Sequence, residues 1–201
     1  VVCDNNAYIK VPYSPWETNA KRGSTIDLIY TPINSGNEDA RVIDYTFITD
    51  DMAQGEIKPF KGLFADIRQA IVSSASSGSN SGNVTLDENS GEIHLTWVLD
   101  RENKFCKTYI NGVLSRIMFL SDSGSGNSAT YEDFAHNEFI YLNSTKGENC
   151  GTYDIKRLRV WGHALTSDEV LKTHLANIKD LEKQEELYNF NYNNTTLPRM
   201  D

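Results

Sequence analysis

The Asn-Gly pair at 111–112, inside "KTYINGVLSR" (107–116), limits the possible folds more than any other stretch of this chain. A two-residue type I′ turn requires positive φ at both central positions. Asn tolerates that conformation and glycine is indifferent to it, so an Asn-Gly pair between two strand-forming runs predicts a tight β-hairpin. Such a turn pairs Ile110 with Val113, Thr108 with Ser115 and Cys106 with Ile117 on one face. Phe105, Tyr109, Leu114 and Met118 then fall on the opposite face with Lys107 and Arg116. One face is apolar or small and the other mixes aromatic and basic groups, the pattern of a sheet with one buried and one partly wet side.

The same short alternation recurs along the chain. Residues 7–13, 24–30, 41–48, 92–100, 139–143 and 153–161 read as strands, and 63–72 reads either as two strands or as a helix. Ile93, Leu95, Trp97 and Leu99 share one face of their strand, which makes Trp97 a core residue. Two Ser/Gly/Asn stretches, 73–82 and 121–129, read as loops, and "DENSGE" (87–92) as a solvated turn. After residue 165 the period changes. Thr166 with Glu169 three residues on forms a capping box, and Leu171, Leu175 and Ile178 follow at helical spacing as one apolar stripe. A charged segment and a polar, Pro-ended tail complete the chain. The predicted organisation is a β domain over 1–178 and a charged helical segment with linker over 179–201.

The chain has 201 residues, 39% of them hydrophobic, enough for one substantial core, and a net charge of −9. That charge repels phosphate backbones and anionic lipid, so neither nucleic acid nor a membrane surface is expected as a partner. No apolar run approaches the roughly 18 residues of a membrane-spanning helix. Cys3, Cys106 and Cys150 are too few and too far apart for a disulfide framework or a zinc site, although a single Cys106–Cys150 bridge stays open. Asn-x-Thr triplets at Asn83, Asn143, Asn193 and Asn194 matter only in a eukaryotic secretory pathway. With no leader in view and Val1 at its start, the chain reads either as a mature fragment or as a domain of something longer.

"EIHLTWVLDRENKFCKTYINGVLSR" (92–116) and "YDIKRLRVWGHALTSDEVLKTH" (153–174) resemble the laminin-G-like, concanavalin A-like jelly-roll superfamily. The matching pieces are a strand ending in Trp and Asp, the aromatic-Ile-Asn-Gly hairpin, a late Leu-Arg-Val-Trp strand and an Ala-Leu-Thr-Ser turn into a short helix. "AYIKVPYSPW" and "GSTIDLIYTPIN" are similar to that family's first strands, so the resemblance spans about residues 5 to 178. The charged helix and "ELYNFNYNN" tail resemble domains of bacteriophage structural proteins and bacterial surface proteins. The family implies an all-β, two-sheet antiparallel jelly-roll sandwich with a short C-terminal helix. It also implies a carbohydrate- or protein-binding module, placed on a virion (tail, baseplate or head fibre) or at the cell surface. Its partners would be a glycan or cell-surface polysaccharide and other subunits of a larger assembly.

A retaining glycosidase on this fold needs two carboxylates about 5 to 5.5 Å apart on one strand face. No Glu-x-Asp-x-x-Glu run supplies them, and Glu132 and Asp133 are adjacent, so a strand would point them apart. The lyase motifs of the family are absent as well. The expectation is therefore a non-catalytic binding module, with a purely structural or protein-interaction module as the alternative and a glycoside hydrolase or polysaccharide lyase as the minor one. Sugars are held by aromatic stacking and planar polar groups. The ligand-contact candidates are Trp16, Tyr109, Trp161 and Arg159. Two readings stand for Tyr109, ligand contact or cross-strand partner, and two for Trp161, exposed ring or ring packed under the helix. No cofactor is expected; calcium is common on the fold, and Asp122, Glu132 and Asp133 flank a loop that could offer oxygen ligands.

Overall fold

A computed structural model of the chain describes residues 2–3, 7–12, 23–34, 41–48, 60–66, 69–73, 82–86, 91–120, 139–145 and 149–179. These form two six-stranded antiparallel sheets packed face to face, and one helix. The strands are β1 (Val2–Cys3), β2 (Ile9–Pro12), β3 (Ser24–Asn34), β4 (Ile43–Ile48), β5 (Phe60–Ala65), β6 (Gln69–Ser73), β7 (Gly82–Thr85), β8 (Ile93–Asp100), β9 (Phe105–Ile110), β10 (Val113–Phe119), β11 (Phe139–Leu142) and β12 (Thr152–Trp161). The first sheet runs β1-β12-β3-β8-β9-β10 and the second β2-β11-β4-β5-β6-β7. Helix α1 spans 167–179. The expected all-β sandwich with a short C-terminal helix is therefore what the chain forms.

Period-2 patterning builds the core. Ile26, Leu28 and Tyr30 of β3, Ile93, Leu95, Trp97 and Leu99 of β8, and Cys106 of β9 face Ile43 and Tyr45 of β4, Leu63 and Ala65 of β5, and Ile140 and Leu142 of β11. Within 63–72 the described residues resolve the ambiguity as two strands, β5 and β6. β5 and β6 form a hairpin whose turn is held by Asp66, which accepts hydrogen bonds from the Gln69 backbone at 2.9 Å and from its amide at 3.2 Å. No disulfide joins Cys106 to Cys150.

The Asn111-Gly112 turn forms as expected, with φ of 51° and 76°. The register beyond it differs from expectation. Ile110 pairs with Val113 and Tyr109 with Leu114, but a bulge at Ser115 then shifts β10 by one residue. Thr108 therefore meets Arg116, and Cys106 meets Met118 rather than Ile117. An extra residue on one strand reverses the facing of everything beyond it. Met118 accordingly packs against the core instead of lying on the wet face.

Candidate functional site

The outer face of the first sheet carries three of the sequence candidates. The ladder aligns Arg159, Asp27, Thr96 and Tyr109 in one row across β12, β3, β8 and β9. His94 lies in the next row, opposite Ile29. Arg159 donates to Asp27 Oδ2 through Nε at 3.1 Å and a terminal nitrogen at 2.9 Å. Thr96 donates to Asp27 Oδ1 at 2.8 Å, and His94 Nε2 bonds the same oxygen. Burial by itself raises the Asp27 carboxyl. The hydrogen bond and charge of His94, the Thr96 hydroxyl and the Arg159 charge outweigh it and hold the group below its ordinary value.

Helix α1 covers this row. Thr25 accepts from the Leu165 backbone at 3.0 Å and donates to the His163 carbonyl at 2.9 Å, which fixes where the helix begins. The capping box is present: Thr166 and Glu169 exchange backbone-to-side-chain bonds of 2.8 and 3.3 Å. Ser167, Val170, His174 and Asn177 face the sheet. Ser167 bonds the Tyr109 hydroxyl at 2.9 Å, and His174 Nδ1 lies 2.9 Å from His94 Nδ1. The Asn177 amide bridges Arg159 and His94 at 3.4 Å each. Val98, Tyr109, Leu165 and Val170 form a small apolar cluster, with Trp161 packed against it.

Tyr109 is 1% exposed and serves the helix, so its ring offers no face to a ligand in this arrangement. Trp161 takes the packed alternative, half-buried with the Arg159 guanidinium 5.1 Å from its ring. Among the described residues, no serine or cysteine bonds His94. The Thr96 hydroxyl lies 3.4 Å from His94 Nε2, but it donates at 2.8 Å to Asp27 and is buried under the helix, so the Asp27–His94–His174 chain joins sheet to helix. Trp16, Asp122, Glu132 and Asp133 lie outside the described residues. Among those described, no group of three or more His, Cys, Asp or Glu side chains could hold a metal ion.

The outer face of the second sheet carries an aromatic cluster that the sequence reading passed over. Register sets Lys10 opposite Tyr141 and Pro12 opposite Phe139 on the β2–β11 pair. Phe139 and Tyr141, two apart on one strand, point the same way, with ring centroids 6.5 Å apart. Tyr8 extends the row, its ring 6.2 Å from that of Tyr141, and is 46% exposed. Lys10 lies over Phe139 at 3.7 Å and near Tyr141 at 5.6 Å. Asn143, at φ 63°, donates from its amide to the Ala7 carbonyl at 2.5 Å and so fixes the strand approach that presents Tyr8. The signal was available in "AYIKVPY" and "FIYLN". Polar-facing aromatics alternate there with aliphatics, but the partnership of strands so distant in sequence could not be read.

No protein-family model and no curated protein matches the chain. Solved structures do share its fold. The binding domain of botulinum neurotoxin serotype D aligns with a TM-score of 0.54 at 14% identity over 88% of this chain and 42% of its own. The serotype G binding domain aligns at 0.52 with 16% identity over the same shares. A CBM40 domain of a Ruminococcus gnavus IT-sialidase, solved bound to α2,3-sialyllactose, aligns at 0.50 with 15% identity over 85% of this chain and 99% of its own. The chain thus spans less than half of the toxin domains but nearly all of the CBM40. At these identities the likeness is one of fold: a two-sheet β-sandwich.

Proposed function

We propose that this chain is a non-catalytic carbohydrate-binding module of the laminin-G-like, concanavalin A-like kind, carried on a larger virion or bacterial surface protein. The observation that carries the reading is the row of Tyr8, Tyr141 and Phe139 on the outer face of the second sheet. The Tyr8 and Tyr141 rings, inclined at 39° to each other and with Tyr8 open to water, suit the C–H faces of pyranose rings, and Phe139 stands edge-on beside them. The CBM40 likeness supports the reading, because that domain is a sugar-binding sandwich of nearly equal extent. The phage or cell-surface setting is supported by the sequence resemblance. Trp16 is a further proposed contact, and calcium at Asp122, Glu132 and Asp133 a proposed accessory.

Single-site affinity is expected to be weak, with Kd about 0.1 to 1 mM, and useful through multivalent display. A multimeric display of the chain on a glycan array should bind. Tyr8→Ala and Tyr141→Ala should each weaken binding on the order of tenfold, equivalent to ~1.4 kcal/mol. The Tyr8 variant should melt with the wild type, because that ring is exposed. An array without binders, or variants that bind as wild type, would remove this reading.

One observation favours the protein-interaction alternative. Edge strand β10 exposes Val113, Leu114, Ile117 and Phe119, the last at 76%. Apolar edge strands of this kind are common protein contact sites.

A further inference from the structure

Lys10 is an exposed cation set among rings. Among the described residues no carboxylate forms an ion pair with it, whereas Arg41, Lys156 and Arg159 each have one. An ammonium has three N–H donors, and stacking over Phe139 uses one side of it at most. Because Lys10 is exposed, with its ammonium 5.6 Å from the Tyr141 ring, the remaining donors are open to an incoming anion. Next to Tyr141 the register places Asp44, but this carboxylate is buried and paired with Arg41 at 3.0 Å. Arg41 in turn lies over the Phe64 ring at 3.8 Å. Among the described residues the face therefore presents two cations, Lys10 and Arg41, against one carboxylate, Asp44, which Arg41 already pairs. The chain as a whole carries −9, yet surface charges are screened over about 8 Å at physiological salt, so the local excess decides what a contacting ligand meets.

We propose that this face selects an acidic pyranose, a sugar ring bearing a carboxylate, with Lys10 pairing the carboxylate while the ring lies on Tyr8 and Tyr141. This rests on the glycan-binding reading above and adds the charge of the ligand. The cation is already positioned by Phe139, so little side-chain order is lost when an anion arrives. A neutral sugar meets the same rings but leaves the ammonium without a counter-charge.

The test is a titration of the full chain with two matched pairs: 3′-sialyllactose against lactose, and trigalacturonate against galactotriose. In at least one pair the acidic sugar should bind about tenfold more tightly at low salt, with the advantage shrinking as salt rises. Lys10→Gln should abolish the ratio between acidic and neutral sugar, and Lys10→Arg should retain it. Melting curves of both variants should match the wild type, since the residue is exposed. Equal binding of acidic and neutral sugars would overturn the charge selection and leave the glycan reading standing. An acidic preference that survives Lys10→Gln would place the carboxylate elsewhere and overturn the assignment of Lys10. If neither pair binds, both readings fall.

Discussion

Gly23 shows how a single residue can hold a fold together without any local sign of it. Its φ is +80°, and a Cβ there would stand 2.0 Å from the Leu99 carbonyl oxygen. Gly23→Ala should cost about 2 kcal/mol or more, because both the backbone conformation and the space forbid the methyl group. A urea midpoint equal to that of the wild type would contradict it. Nothing around Gly23 in the sequence signals this, since Leu99 comes from a distant strand. Asn111 and Gly112 are the opposite case, because a type I′ turn writes its requirement into two adjacent letters. Even there the structure adds what the letters lack: the Asn111 side chain also accepts from the His94 backbone at 2.9 Å, tying the turn to β8. Asp27 is a third kind of residue, buried and charged, with three partners on two neighbouring strands, His94 and Thr96 of β8 and Arg159 of β12. Asp27→Ala leaves Arg159 and His94 without their anion and should cost about 3 to 5 kcal/mol, measured by equilibrium unfolding.

Helix α1 was legible in its start and not in its orientation. The capping box fixed the first turn, but the apolar repeat Leu171, Leu175 and Ile178 suggested the wrong contact face. All three are exposed, and the helix turns Ser167, Val170, His174 and Asn177 to the sheet. The sheet beneath decides this. Arg159, Asp27, Thr96 and His94 need polar partners, and a buried polar group left unpaired costs about 1 to 3 kcal/mol. Half-exposing three aliphatic side chains costs less. The polar seam makes the helix sensitive to acid. Burial holds the His174 imidazole below its ordinary value of 6.5, and the neighbouring His94 charge adds to this, while Asp27 and Glu92 oppose it. A base with a depressed folded value binds fewer protons in the folded state than in the unfolded one. Its contribution is therefore present above pH 6.5 and is lost as pH falls through the lower folded value. The Asp27 carboxyl, lowered from 3.8, adds a second loss of the same sign at still lower pH. The melting temperature should fall as pH drops from about 7 to 5, and His174→Gln should flatten that slope. An equal slope in the variant would place the acid sensitivity elsewhere.

At the scale of the whole molecule, the two-sheet sandwich was readable because strand alternation is local and repeats many times. Ile93, Leu95, Trp97 and Leu99 announced their core face from spacing alone. The short strands β1 and β7 were not readable: two residues carry no period, and the "GNVT" of β7 adjoins a Ser/Gly/Asn stretch and holds one aliphatic residue. The candidate site was hidden for a different reason. Tyr8 and Lys10 meet Phe139 and Tyr141 only through the β2–β11 pairing, and pairing between distant strands is a property of topology. The sequence candidates Tyr109, Arg159 and Trp161 lie on the face that the helix covers, Tyr109 bonded to Ser167, Arg159 to Asn177 and Trp161 packed against the apolar cluster. The two outer faces therefore differ: one is closed by α1, and the other keeps the Tyr8 ring at the surface. The measurement that tests this division most directly is amide chemical-shift mapping of the labelled chain during titration with a glycan found on the array. Shifts should be concentrated at Tyr8, Lys10, Phe139 and Tyr141, with β10 and helix α1 unmoved. Shifts confined to β10 or to the helix-covered face, or none at saturating sugar, would contradict it.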